Sequence, residues 1–265
     1  MAAYLGRPRV ACVHMPLKSA IGIRGWCQTP VGGEPTVSGS PPPRLQVVKV
    51  PIQFSGPIRA SDVVEKQLTK MIVSLELSPG TMIGEAELME RLGCGRTPLR
   101  EALQRLAQEY LIVSIPRKGV RIAELDLPDY VKLIEAVSHI EAVAARLAAR
   151  GASADDLERI ESIVEAATQA DQSRDILGVA NLDYEFHYAV AESGANRYII
   201  DATARLHRLT SRFIYLAMKG GLAGWESLEE HRRIIVAIKA RDEDAAANIT
   251  HEHFLRARDR IVSAL

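Results

Sequence analysis

The sequence predicts a mainly α-helical protein, in which an N-terminal winged helix-turn-helix unit precedes an all-α, antiparallel helical bundle. Three observations predict it. Residues 61 to 110 carry three amphipathic helical stretches separated by tight turns, and residues 111 to 122 switch to short β-prone runs. From Leu127 to the end only helical periodicity appears. The chain has 265 residues, more than one domain of roughly 100 to 200 residues accounts for.

A composition 47% hydrophobic and 25% charged can bury real cores. The formal net charge of zero hides an asymmetry. Residues 1–55 carry six Lys/Arg against Glu34, residues 56–124 carry ten against nine acidic side chains, and residues 125–265 carry 17 against 23. The acidic C-terminal part is thereby excluded as a nucleic-acid surface. The middle part is weakly basic, so DNA contact there depends on where individual arginines sit. Three cysteines, Cys12, Cys27 and Cys94, contain no C-x-x-C pair, which excludes a disulfide framework or zinc knuckle and fits a reducing cytoplasm. No apolar run approaches the ~18 residues of a membrane span. Arg7, Arg9, Lys18 and Arg24 interrupt the apolar core a signal peptide needs, so a cytoplasmic protein without membrane contact is expected.

Residues 1–55 show no helical or strand period and contain Gly32-Gly33, Pro35 and Pro41-Pro42-Pro43, so a disordered extension is expected there. Residues 56–124 form the winged unit. Ser61 is expected to cap a helix with Val64, Leu68, Met71, Ile72 and Leu75 on one face, ended by Pro79-Gly80. A second helix spans Glu85 to Leu92 and breaks at Gly93-Cys94-Gly95. A third opens with Thr97 as N-cap and Pro98 at the first helical position. Leu111 to Ile115 and Gly119 to Ile122, joined by Pro116-Arg117-Lys118, read as a two-stranded wing with a basic tip. Residues 125–265 read as about six helices punctuated by Gly151, Gly194, Gly220-Gly221 and Arg241-Asp242. Capping boxes are expected at Ser153 to Asp156 and at Ser227-Leu228-Glu229-Glu230.

Arg96 precedes the expected cap of the third helix and Arg100 lies in its first turn, so both project from the end of a helix suited to a major groove. Arginine can bond the O6 and N7 of guanine together. Leu99, Leu103 and Leu106 hold the opposite face in the core. The stretch P-G-T-M-I-G-E-A-E-L-M-E-R-L-G-C-G-R-T-P-L-R-E-A-L-Q-R-L-A-Q-E-Y-L-I-V-S-I-P-R-K-G, Pro79 to Gly119, resembles the DNA-binding domain of the GntR family of bacterial regulators. The resemblance implies that Arg96, Thr97 and Arg100 contact operator DNA and that Lys118 and Gly119, at the wing tip, reach the minor groove. A homodimer on a two-fold operator is expected, because one recognition helix reads too few bases and two-fold proteins read two-fold sites. Gly95 stands where members usually have Ser or Thr, and Ala86 where some place a DNA-contacting Arg.

Asp183 and His187 are four residues apart on a helix expected from Asn181 to Ser193, so they share a face within reach of one ion. His231 follows the expected cap of a later helix and His253 lies on the last one. Carboxylate and imidazole suit zinc, nickel or manganese. Leu182-Asp183-Tyr184-Glu185-Phe186-His187, with Asn196, Glu230-His231-Arg232-Arg233-Ile234 and His253, resembles the FCD effector domain of the FadR subfamily. That resemblance implies one divalent ion, zinc foremost, held by Asp183, His187, His231 and His253. It further implies a repressor whose operator binding responds to a small carboxylate or fatty-acid-type effector. Val137 occupies the place, four residues before Glu141, where many members have an anion-binding Arg. Arg212 is the expected second effector contact. His139 and His207 read either as pocket residues or as structural histidines. Two other readings stand beside this one: a purely structural metal, since four protein ligands close a tetrahedral zinc site, and a metal-dependent hydrolase. His251-Glu252-His253 is not H-E-x-x-H, because Leu255 stands where the second ligand belongs. There is no G-x-S-x-G and no phosphate loop, and no catalytic residue is assigned.

Overall fold

The computed structural model describes residues 59–221 and 225–265; the extension expected over residues 1–55 lies outside them. Helix α1 (Ala60–Val73) turns Val64, Leu68 and Ile72 inward. It starts before the expected position. Arg59 is the N-cap, and Ser61 is a buried residue of the first turn rather than the cap. The helix also stops at Val73, short of Pro79-Gly80, because Leu75 adopts a left-handed backbone with φ 56° that no α-helix continues through.

Strand β1 (Met82–Ile83) leads into α2 (Glu85–Leu92), which ends at Gly93 in the left-handed conformation, and then into α3 (Arg96–Gln108). Gly95, not Thr97, is the N-cap of α3. Pro98 still falls in the first turn, where backbone N–H groups have no helical partner, so its missing donor is harmless. Arg96 thereby becomes the first helical residue and Arg100 follows one turn later.

The wing is β2 (Ile112–Ile115) paired antiparallel with β3 (Gly119–Ile122), with Ile115 opposite Gly119. On its other edge β3 pairs with β1, giving the order β1-β3-β2. This third strand was not expected, since two residues cannot display an alternating pattern. Gly119 has a structural reason to be glycine: its φ is 104°, and a Cβ there would lie 2.3 Å from the carbonyl oxygen of Ile83. Leu68, Ile72, Leu88, Leu99, Leu106 and Ile122 close the core beneath this sheet.

The remaining helices are α4 (Leu127–Gly151), α5 (Ala154–Gln172), α6 (Ile176–Ser193), α7 (Arg197–Lys219), α8 (Trp225–Lys239) and α9 (Glu243–Ala264), the six expected. Side-chain caps explain most of their starts: Asp126, Ser153, Asp175, Asn196 and Asp242 each accept a hydrogen bond from a first-turn N–H. Ser153 and Asp156 form the expected capping box. Helix α6 begins five residues before Asn181, so Asp183 sits within the helix rather than at its entrance. Ser227 does not open α8, which starts at Trp225; its hydroxyl instead accepts from Arg260. Helix α4 runs along α9, and its alanines 144, 145, 148 and 149 are all buried, small enough for neighbouring helices to come close. Phe186, Val190, Ile234 and Ile238 fill the core beside them.

Helix α7 touches both halves. Its Leu209 packs against the core of the winged unit, its Arg208 pairs with Glu109 just past α3, and its Arg212 donates to the carbonyl of Ala123 just past β3. Among the described residues no helix is long and apolar enough to cross a membrane. The constraint at Gly119 is testable. Gly119→Ala should lower the unfolding free energy by about 2 kcal/mol, read as a shift of the urea midpoint followed by circular dichroism. An unchanged midpoint would mean that β1 and β3 do not approach as described.

Candidate metal centre and nucleic-acid interface

Three helices bring three imidazoles together in the middle of the bundle. His187 of α6, His231 of α8 and His253 of α9 are all buried, and a ring nitrogen of each lies within 4.8 Å of one on the others. Asp183, one turn before His187, places its Oδ1 3.6 Å from His231 Nε2. The four residues paired by sequence reasoning are therefore neighbours in space.

The orientation of two rings is explained by buried carboxylates that sequence reasoning did not assign to the site. Glu230 Oε2 lies 2.7 Å from His253 Nδ1. Its carboxylate also accepts from Arg256 Nε at 2.8 Å and from Arg260 Nη1 and Nη2 at 3.1 Å each. Glu141 of α4 lies 3.5 Å from His187 Nδ1 and 3.2 Å from His207 Nε2. These last two are ion-pair contacts without hydrogen-bond alignment, since neither Glu141 oxygen has an aligned partner. A carboxylate at Nδ1 favours the tautomer whose Nε2 carries a lone pair. His187 Nε2 and His231 Nε2 are buried with no protein hydrogen-bond partner. Buried ring nitrogens without a partner are costly, and a metal ion would satisfy them. The donor set of three imidazoles and one carboxylate fits a borderline divalent ion.

Electrostatics favour the neutral form of two of the rings, His187 and His231. Burial pushes His187 down to about 4, with the neighbouring His207 adding to the effect. His231 is held well below its ordinary value by burial and by the charge of His253 and His187. Burial works against the charge on Glu230, but His253 and Arg260 outweigh it and lower the carboxyl to about 2. Burial likewise opposes ionisation of Glu141, yet His207 and His187 hold it below the ordinary carboxylate range, and Glu141 in turn raises His207.

A small cavity of about 50 Å³ opens beside the centre. Asp183, His231, His253, Tyr130 and Arg260 are among its lining residues. Arg212, the expected effector contact, is not; it is buried against the Ala123 carbonyl. Val137, where an anion-binding arginine was sought, is a core residue packed with Tyr130 and Ile134. His139 is exposed beside His251, whereas His207 is buried on Glu141. Burial and the charge of Asp183 raise the Tyr130 hydroxyl above its ordinary value, so it stays a neutral donor.

In the winged unit, Arg96, Thr97, Arg100 and Lys118 are exposed and Gly119 is half-buried. Arg100 donates its Nε to both oxygens of Glu85, at 3.2 and 3.0 Å, and its two terminal amino groups have no hydrogen-bond partner among the described residues. A groove between α3 and the wing is lined by Arg100, Gln104, Gln108, Ser114, Arg117 and Lys118. Gln104 had not been singled out in the sequence, and Arg117 only as part of the basic wing tip.

Comparisons with known proteins bear on the family and the fold. A family model described as bacterial regulatory proteins, gntR family, matches residues 60–122, and one described as FCD domain matches residues 132–256. An uncharacterised HTH-type transcriptional regulator of Agrobacterium vitis, from the TAR-I ttuE-ttuC' intergenic region, is 32% identical over 120 residues, covering 44% of this chain and 70% of its own length. The HTH-type transcriptional repressor GlaR of Escherichia coli strain K12 is 27% identical over 193 residues, 69% of this chain and 87% of its own. Among solved structures, E. coli McbR/YncC shares the fold with a TM-score of 0.71 at 20% identity, covering 78% of this chain and 99% of that one.

The buried imidazoles give a pH test. Below the ordinary histidine value of 6.5 the unfolded chain binds protons that folded His187 refuses until about 4, so metal-free protein loses stability as pH falls through that window. The slope is about 1.4 kcal/mol per pH unit for each such imidazole. Urea unfolding of chelator-treated protein at about pH 7.5 and about pH 5 should show a loss on the order of 2 kcal/mol, smaller in His187→Gln. Equal stability at both would mean that these rings are protonated in the folded state.

Proposed function

Because the chain belongs to the GntR family of bacterial regulatory proteins and carries an FCD domain behind its winged helix, we propose that it is a FadR-type repressor whose hold on operator DNA is set by a metal-anchored carboxylate effector. It is a DNA-binding transcriptional regulator. On this reading it binds a two-fold operator as a homodimer, each recognition helix entering one major groove. Arg96, Thr97 and Arg100 meet base edges and phosphates, while Lys118 and Gly119 bring the wing to the backbone and minor groove. That GlaR is named a repressor supports the sign of regulation.

The observation that carries the effector half is the set of orphaned, neutral ring nitrogens converging beside a cavity. Asp183, His187, His231 and His253 would hold one divalent ion, with zinc, nickel and manganese all compatible. Such an ion offers an electrophilic centre to an anionic oxygen. Glu141 and Glu230 would fix the rings of His187 and His253, and burial would keep protons from competing.

Helix α7 supplies the route to DNA. One stretch of it carries His207, on Glu141, and Thr210, in the cavity wall. The same stretch carries Arg208, Leu209 and Arg212, which grip the winged unit. An effector that prefers one placement of α7 would shift operator affinity by its differential binding, typically about 1 to 3 kcal/mol.

Two measurements test this reading. His231→Ala should purify with substoichiometric metal by plasma mass spectrometry, and full occupancy would remove His231 from the ligand set. Arg100→Ala should cost about 1 to 3 kcal/mol on the cognate operator and relax base preference at one position. Equal loss on cognate and random duplex would mean that Arg100 touches only phosphate.

A further inference from the structure

The arginines of α3 differ in how much of the guanidinium the protein itself uses. A guanidinium is a rigid planar fork, and it can make a paired contact along its side edge, through Nε and one terminal nitrogen, or along its end edge, through both terminal nitrogens. Arg105 gives Nε to Glu65 and Nη2 to Asp62, so it is spent on holding α3 against α1. Arg100 is held differently. Its Nε alone is engaged, by both oxygens of Glu85 at 3.2 and 3.0 Å, which closes the side edge and leaves the end edge without a partner among the described residues.

Glu85 is fixed by its own surroundings. It is the first residue of α2, where the positive end of the helix dipole favours a carboxylate. Two residues before it, Ile83 pairs with Val120 of the wing strand, so the sheet sets where α2 begins. The Arg100 and Glu85 side chains are 62% and 32% exposed, and such a pair adds little to folding stability. What it sets is direction. The free end edge is the pair of donors that matches the O6 and N7 of guanine. A carboxylate beside that edge also weakens attraction to phosphates of any sequence, which lowers general affinity and not base reading.

We propose that Glu85 is a positioning residue for sequence recognition: it pins the Nε side of Arg100 so that the end edge is presented to a guanine instead of swinging to a neighbouring phosphate. The proposal rests on the reading of α3 as the recognition helix, and it adds a residue of α2 that acts on DNA through Arg100.

The probe is the duplex that full-length wild type enriches from a randomised pool, compared with a scrambled duplex and with forms carrying, at single guanines, a deazaguanine that lacks the N7 acceptor. Binding is followed by fluorescence anisotropy at fixed salt. At one guanine the wild type should lose about tenfold on this replacement, and Arg100→Ala should lose nothing there. In Glu85→Ala the penalty should shrink to about twofold, while affinity for the scrambled duplex holds or rises. Glu85→Gln, whose amide oxygen still accepts from Nε, should keep most of the penalty. Adding Glu85→Ala to Arg100→Ala should change discrimination no further. A full penalty in Glu85→Ala beside an insensitive Arg100→Ala would overturn the positioning role and leave Arg100 as the reader. Glu85→Gln behaving as Glu85→Ala would overturn the hydrogen bond as its cause. Parallel loss on enriched and scrambled duplexes in Glu85→Ala, with a lower melting temperature, would make Glu85 structural, and parallel gain would make it a restraint that DNA must break; either overturns the proposal. Wild type that enriches no sequence, or Arg100→Ala as sensitive as wild type at every guanine, would overturn the recognition-helix reading itself.

Discussion

The helical half is organised around the contact between buried carboxylates and buried imidazoles. Glu141 and Glu230 lie on different helices, and each meets the Nδ1 side of a ring contributed by another. Neither carboxylate would be tolerated alone at that depth, since an unpaired buried charge costs several kcal/mol. Paired, they dictate which way His187 and His253 turn, and leave Nε2 of His187 without a protein partner. The site is thus shaped by what holds the rings from behind as much as by the rings.

The same constraint joins the two halves. Glu141 also meets His207 on α7, and a residue further along that helix Arg208 reaches Glu109 at the end of the recognition helix. Arg212, one turn on, is buried on the Ala123 carbonyl where the wing strand ends; burial lowers it to about 10, still charged near neutral pH. Any change in the bundle that moves α7 therefore reaches the C-terminal end of α3 and the end of β3. An arginine fully buried on a backbone carbonyl is a stiff connection, because withdrawing it would strand both groups.

Much of this was legible in the sequence because it rests on local rules. Helix periods, the Gly93-Cys94-Gly95 turn and the wing strands lie close to where they were expected, and the i, i+4 pair Asp183 and His187 does share a face with His231 and His253 nearby. The departures have physical causes. Gly95 displaces Thr97 as cap, a two-residue strand has no readable period, and Ser227 is drawn into contact with Arg260 instead of capping α8. Glu141 and Glu230 were invisible as site residues because their roles depend on partners far along the chain. Glu230 stood beside a ligand and matched a cap; its carboxylate turned out to face α9. Arg212 showed the reverse, a charge that suggested a ligand but serves the contact between halves.

The central claim is that one ion sits on the Nε2 face of three rings whose Nδ1 sides or neighbours are set by the protein. Anomalous diffraction at the metal edge, on crystals of the protein as purified, tests it most directly. The account predicts a single peak about 2.0 to 2.2 Å from Nε2 of His187, His231 and His253 and from an Asp183 oxygen. A peak between Glu141 and His207, ligation through Nδ1, or no peak in the bundle would contradict it.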